Sequence, residues 1–398
     1  MERWLDGDGG SSGRDELVSW RRYLHAHPEL SRVETATTAF VVDRLTEWGL
    51  NPVLLAGGAG LTCDVGSRQG PLVALRADMD ALPLDDGTGT SYSSTIPGVS
   101  HACGHDAHTA VLLGVAAALA GAPELPGRAR LLFQPAEEQM AGARQLVDAG
   151  ALEGVTRIFG LHCDPHLPAG QVGVRPGPLT SAADIVELVL TSPGGHTSRP
   201  HLTADLVHAL GTVIIGLPAV LGRRLDPRAG TVLVWGAVAA GVAPNAIPRS
   251  GTLRGTLRTA DRETWALLEP LVTEAVAALL APTGVGYELI YTPGVPPVIN
   301  DPACAALLAD AVAAGVGDRA VVGTAQSSGG EDFAWFLEHV PGAMGRLGVW
   351  PGHGPMLDLH QPTFDLDERA LEVGVRTLVH CALQSWADHS DAPDHPWS

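Results

Sequence analysis

Between residues 61 and 162, strand-like and helix-like runs alternate, and most of the strands run straight into acid, thiol or imidazole side chains. Strand-like runs fall at 61–65, 72–76, 129–134 and 157–161, and helix-like runs at about 107–120 and 140–149. A sheet built from such units must be covered by helices on both faces, which makes an α/β domain. Open sheets of that kind place their chemistry just past the C-terminal ends of the strands. The reactive clusters of this chain fall at those exits, so one pattern predicts both fold and site.

The densest cluster is SHACGHDAHTA at 100–110, which holds Cys103, His105, Asp106 and His108. Thiolate, imidazole and carboxylate are the groups that hold borderline-soft divalent metals. Cys103 and His105, two apart at a helix entrance, can close around one ion, and a thiolate can also bridge two. His108 follows three residues later on the same helical face, the place of a group that supports a ligand. Asp80, in RADMDALP at 76–83, is placed to receive the N–H of a metal-bound imidazole. A turn-capping aspartate before Pro83 would read the same way.

FQPAEE at 133–138 puts two acids side by side. Adjacent side chains point in different directions, so Glu138 can ligate while Glu137 faces a water, takes its proton and returns it to a leaving nitrogen. Acids after Pro135 also suit a solvated helix start. His162 closes the strand at 157–161, and His360 in LHQP at 359–362 arrives from far along the chain; both are ligand candidates. Cys163 reads as packing, and His353 in PGHG as part of a loop. Glu331 and Asp332 suit a helix cap as well as a contact to a ligand.

A glycine- and proline-rich stretch at 170–180 marks a domain boundary. Beyond it the order β-α-β-β-α-β, ending near 291, predicts a small split βαβ layer. The division expected is a catalytic domain at 1–179, an inserted lid or dimerisation domain at 180–292, the rest of the catalytic domain at 293–387 and a disordered tail at 388–398. Residues 1–13 read as frayed, 67–70 as a turn, and helices are expected at 15–27, 33–48, 301–314, 331–338 and 367–386. In the inserted domain, GGHTSRPH at 194–201 is a Gly-rich hairpin with His196 and His201, and Asn245 sits in a loop between prolines. Arg258 closes a strand where its guanidinium can pair with a substrate carboxylate, although edge-strand chemistry accounts for it equally.

The net charge of −19, from 44 acidic and 25 basic residues, excludes nucleic acid and anionic membrane as natural partners. It leaves room for a small anionic substrate, which needs one or two local donors. Five widely spaced cysteines form no staple framework, so a reducing compartment is expected. The first residues lack the basic start and apolar run of a signal peptide, and no stretch reaches ~18 uninterrupted apolar residues. A cytoplasmic, soluble protein is the expectation.

Taken in order, RRYLHAHPELS at 21–31, LRADMDALP at 75–83, HACGHDAHT at 101–109, FQPAEE, GLH at 160–162, GGHTSRPH, PNAIP at 244–248, GTLRT at 255–259, GEDF at 330–333 and LHQP span the chain. In this set the sequence resembles the M20 metallopeptidase superfamily. The similarity is to its amidohydrolase branch, which includes hippurate hydrolases, N-acyl-amino-acid aminoacylases, auxin-conjugate hydrolases and N-acetyldiaminopimelate deacetylases. The resemblance implies a dinuclear-metal aminopeptidase-like domain with helices flanking a mixed sheet, interrupted by the smaller lid. It implies two divalent ions (Mn or Zn first, Co or Ni as alternatives) on Cys103, His105, Glu138, His162 and His360, with Glu137 as catalytic base. It also implies that His196 polarises the substrate carbonyl, that Asn245 holds the substrate, and that the chain forms a homodimer or larger homo-oligomer. The one departure is HCDPH at 162–166, which sets a cysteine and an acid beside a ligand.

The activity expected is hydrolysis of the amide of an N-acyl amino acid, with a metal-bridged water activated by Glu137 and Asp80, His196, Arg258 and His201 assisting. A dipeptidase or carboxypeptidase using the same site is the rival, and a non-catalytic metal or metabolite binder a more distant one.

Overall fold

Leu17, Trp20 and Leu24 recur at helical spacing and put one buried face on the first helix, α1 (Ser11–Ala26). The computed structural model describes residues 11–67, 70–122 and 124–390. Residues 1–10 of the stretch expected to fray at 1–13, the centre of the turn at 67–70 and the tail at 391–398 lie outside the described residues. Residues 11–13 are not frayed, because α1 already starts at Ser11. Helix α2 (Thr35–Glu47) buries Val41 and Leu45 on the same core. Strands β1 (Val53–Leu54), β2 (Leu61–Gly66) and β3 (Leu72–Asp78) follow, and β3 is buried on both faces, its apolar start at Leu72–Leu75 in the core and its Arg76 and Asp78 paired with each other.

Helix α3 (His105–Ala120) is buried almost throughout, which accounts for its run of small and apolar residues. It packs on β3, α1 and the last helix. Then come β4 (Arg128–Gln134), α4 (Gly142–Asp148), the long β5 (Val155–Pro168), β6 (Val172–Val174) and β7 (Gly177–Pro178). The sequence signal ends β5 at 161, but the strand continues. Its pairing with β3 stops at Gly160 opposite Arg76, while its pairing with a strand from the end of the chain carries on through His162. His162 is therefore inside a strand, just past the point where one neighbour has ended.

Two compact units divide the chain: Met1–Leu179 with Ile299–Ala325 and Asp332–Ser398, and Thr180–Val298 with Gln326–Glu331. The smaller unit starts with β8 (Ala182–Thr191) and the two-residue β9 (Gly195–His196). It continues through α5 (Leu206–Arg224), β10 (Val232–Ala240), β11 (Ala246–Ile247), β12 (Ser250–Thr259), α6 (Arg262–Leu280) and β13 (Gly286–Val295). Its antiparallel sheet has the order β10-β12-β8-β13, and β9 and β11 form a separate ribbon. Helix α5 and the run Arg262–Thr283 are long and apolar enough to cross a membrane by length and composition. Here Leu210, Val213 and Leu217 of α5 and Leu268, Val272 and Val276 of α6 are buried in one core with Val186, Leu188 and Leu253 of the sheet.

The chain returns to the larger unit through β14 (Ile299–Asn300), α7 (Pro302–Gly315), β15 (Val321–Gly323) and α8 (Ala334–Leu337), then β16 (Gly342–Trp350) and α9 (Arg369–Ser390). The helix expected at 331–338 shrinks to four residues, and α9 runs past 386, so residues 388–390 are helical rather than tail. The finished sheet is mixed, in the order β1-β2-β4-β3-β5-β16-β6-β15, with β16 lying between β5 and β6.

Candidate metal centre

Gly104 sets the geometry of the cysteine–histidine cluster. Its φ is +86°, and a Cβ there would come within 2.8 Å of Cys163 Sγ, so glycine alone fits between Cys103 and His105. The left-handed turn starts α3 at His105 and leaves Cys103 just ahead of it.

Cys103 Sγ lies 3.6 Å from His162 Nε2 and 3.3 Å from His360 Nε2. Two donors on one tetrahedral ion stand about 3.6 Å apart when metal–sulfur is about 2.3 Å and metal–nitrogen about 2.1 Å. The possible ligand atoms of Cys103, His105 and His162 lie within 4.8 Å of one another, and so do those of Cys103, Glu138 and His360. One sulfur is common to both sets. Glu138 Oε1 is 3.4 Å from His360 Nε2. The structure thus brings together all five residues that the sequence nominates as ligands, from four segments of the larger unit. Glu137 is beside them, buried, with Oε2 3.9 Å from His105 Nε2.

The donor atoms fit a cation. His105 Nδ1–H donates to the Asp80 carbonyl at 2.9 Å, with Asp80 Oδ1 at 3.2 Å, and His162 Nδ1–H donates to the Cys163 carbonyl at 2.8 Å. A carbonyl only accepts, so both rings carry a proton on Nδ1, which leaves Nε2 as the ring atom turned to the centre. At His105 burial is outweighed by the surrounding carboxylates, Asp78 above all, which raise its basicity, so a cation there would take the place of a proton. His105 Nε2 and Glu138 Oε1 are buried without a hydrogen bond, the state of ligand atoms whose partner is an ion. Burial, with Arg346 nearby, holds His162 well below the ordinary histidine range and therefore neutral. Burial also pushes the Cys103 thiol well up, so the thiolate form calls for positive charge beside it.

His108 is not in the ligand set. Its Nδ1–H donates to Asp78 Oδ1 at 2.5 Å, and its Nε2 accepts the backbone N–H of Cys163 at 2.9 Å. Arg76 holds the other Asp78 oxygen at 2.7 Å and also contacts Gln134 and Asp332. Burial alone would raise the Asp78 carboxyl, but Arg76, His105 and His108 outweigh it and keep it well below its usual range. Asp332 also receives the Ala143 N–H in the first turn of α4, at 3.0 Å. On the other side of α3, Arg21 and His25 both bind Asp106 Oδ2, at 2.8 and 2.7 Å.

Asp80 does more than the sequence suggested. While Oδ1 meets His105, Oδ2 accepts the Ser31 hydroxyl at 2.6 Å and the Glu138 N–H at 3.0 Å. Sequence reasoning gave no role to Ser31, Glu34, Arg76 or Asp78, although all lie within or next to the motifs it used. The signal for Asp78 was its place beside Asp80 at the end of β3.

In the smaller unit, His196 pairs with Ala246 across the β9–β11 ribbon, and the next residue, Thr197, donates its N–H to the Asn245 carbonyl at 3.2 Å. His196 Nδ1 accepts from Ser198 N–H at 3.1 Å and lies 2.8 Å from Ser198 Oγ, so its proton is on an exposed Nε2. His201 is exposed in the turn Pro200–Leu202. Arg258 donates from Nη1 to the Ser328 carbonyl at 2.7 Å, a structural bond within this unit.

Residues 74–384 match the model of the family described as peptidase family M20/M25/M40. A Bacillus subtilis N-acetyl-L-cysteine deacetylase is 38% identical over 361 residues, covering 89% of this chain and 85% of that protein. A Rhodococcus jostii protein provisionally named glutamate–cysteine ligase 2-3 is 59% identical over 376 residues, 94% of this chain and 47% of its own length. The chain thus spans about half the length of that relative. Among solved structures, a Bacillus subtilis protein described as a dinuclear metal binding peptidase from the M20 family superposes with a TM-score of 0.82 at 33% identity. That likeness covers 95% of this chain and 99% of the other.

Proposed function

The chain belongs to the peptidase family M20/M25/M40, and we propose that within it the protein hydrolyses the amide of N-acyl amino acids to a carboxylic acid and a free amino acid. The observation that carries this reading is the pair of donor sets sharing Cys103 Sγ, with the buried carboxylate of Glu137 beside them. Two divalent ions bound there, Mn or Zn before Co or Ni, would polarise the amide carbonyl and make water a nucleophile at neutral pH. Cys103, His105 and His162 would hold one and Cys103, Glu138 and His360 the other.

Glu137 takes the proton of the attacking water on its carboxylate and delivers it to the departing nitrogen. Asp80 keeps His105 in the Nδ1–H tautomer and fixes the Glu138 backbone. In this reading the Nε2–H of His196 donates to the oxyanion and Asn245 holds the substrate, roles that rest on the resemblance and on the tautomer set by Ser198. Arg258 and His201 are assigned to substrate binding, Arg258 to the substrate carboxylate; H201A or R258A with unchanged KM would remove them.

Both the deacetylase and the ligase relative have cysteine in their names, so N-acyl cysteines head the substrate panel. The panel also holds acetyl, benzoyl and longer acyl derivatives of other amino acids, and unmodified dipeptides. Amine release that needs added Mn or Zn and falls about 100-fold or more in E137Q supports the reading. Cleavage confined to dipeptides favours the peptidase, and bound metal with no turnover of any member favours a binding protein. A reducing, cytoplasmic setting is part of the proposal and agrees with five free, buried cysteines. A homodimer is proposed through the edge strand β10, which exposes Val232, Val234 and Val238. Sedimentation of wild type as a dimer and of V234K as a monomer would support it; a monomeric wild type would overturn it.

A further inference from the structure

We infer that Glu34 is a positioning residue for the Glu137–Glu138 loop, holding that loop by the backbone N–H of Ala136. The inference rests on the proposed hydrolase reading of this site.

Glu34 stands at the N-cap of α2, yet its side chain makes no cap bond. It turns away from its own helix, is fully buried, and Oε1 accepts the N–H of Ala136 at 2.7 Å, 102 residues along the chain. Ala136 has φ +52°, a left-handed conformation that a residue with a Cβ adopts only at a steric cost. Such a conformation persists only where its surroundings impose it. The loop's internal bonds, Met140 N–H to the Glu137 carbonyl at 2.6 Å and Ala141 N–H to that of Ala136 at 3.2 Å, close it beyond the acids but leave the Ala136 N–H to Glu34.

The second anchor comes from the same short segment. Ser31 donates to Asp80, and Asp80 receives the N–H of Glu138. Residues 31–34 therefore fix the backbone on both sides of Glu137, one end directly and the other through Asp80. Glu34 Oε2 is buried with no hydrogen bond. An unsatisfied buried carboxylate oxygen is costly, so simple packing would favour an apolar residue here.

The test compares E34Q, E34D and E34A in the metal-loaded full-length protein. It reads kcat and KM, metal content, and hydrogen exchange at the Ala136 amide. Glutamine keeps the carbonyl acceptor at the same reach, whereas aspartate keeps the charge but is one methylene short. We expect E34D and E34A to lose about tenfold or more in kcat, with KM within about twofold, both ions retained and Ala136 exchanging faster. E34Q should stay within about threefold of wild type on every readout, and E34D carries the comparison should E34A not fold. Wild-type kcat and Ala136 protection in E34D, or an E34Q as impaired as E34D, would overturn the inference. Failure of the wild type to cleave any member of the substrate panel would sink the hydrolase reading alone, because Ala136 exchange reports on the anchor without turnover.

Discussion

His108 and Asp78 form a closed pair: the imidazole donates from Nδ1 to the carboxylate and spends Nε2 on the backbone N–H of Cys163. A ring with both nitrogens committed has no lone pair for an ion. It braces the strand residue next to His162 instead. H108A should still bind two ions at saturating metal, with affinity weakened about 10- to 100-fold. H105A should lose an ion outright. Metal analysis after gel filtration, with calorimetric titration, separates the two results.

The shared sulfur gives a second expectation. Removing His162 or His360 deletes a donor from one set only, whereas removing Cys103 deletes one from both. H162A and H360A should each retain about one tightly held ion, and C103A none, under dialysis conditions that leave two on the wild type. Equal losses in all three variants would contradict a bridging thiolate.

In the smaller unit, Asp184 is buried and accepts from Tyr291 Oη, from Trp265 Nε1 at 2.9 Å and from Gly294 N–H at 2.8 Å. Gly294 lies in the bulge that shifts the β13 register between Thr292 and Val295. D184A strands three donors at once and should cost about 3 kcal/mol in denaturant unfolding. D184N, with one acceptor oxygen, should fall between it and wild type.

Burial raises the Glu34 carboxyl to about 7 from an ordinary 4.5, with Asp80 adding to the effect. An acid with a raised folded-state pKa binds more protons folded than unfolded, so its contribution to stability falls as pH rises. The fall runs from about pH 4.5 to about 7 and stops above that. E34Q does not titrate, so its stability relative to wild type should climb across that window and stay level beyond it. Melting curves of the two proteins from pH 4 to 9 give the check.

The five candidate ligands were legible because they sit where period and chemistry coincide. Cys103 and His105 flank a glycine at a helix start, and Glu137 and Glu138 follow a buried strand directly. Asp80 was legible as a partner for an imidazole, but its other oxygen was not, because Ser31 and the Glu138 backbone reach it from distant segments. Glu34 was invisible for the same reason: its partner is a backbone N–H 102 residues away, and no side-chain pattern records that. The end of β5 was misplaced because strand length depends on the neighbour, and β16 lies nearly two hundred residues downstream. Arg258 has a partner of the same hidden kind, since its Nη1 bonds the Ser328 carbonyl 70 residues away.

The position of β16 also bears on the order of synthesis. It enters the sheet between β5 and β6, which are near neighbours in the chain, and the segment after it carries His360. A nascent chain that has just emitted residue 179 therefore holds four of the five donors on a sheet that still lacks β15 and β16. Completion of the sheet and arrival of the last donor then come within the same few dozen residues, so the full set of donors cannot assemble before residue 360 has been made.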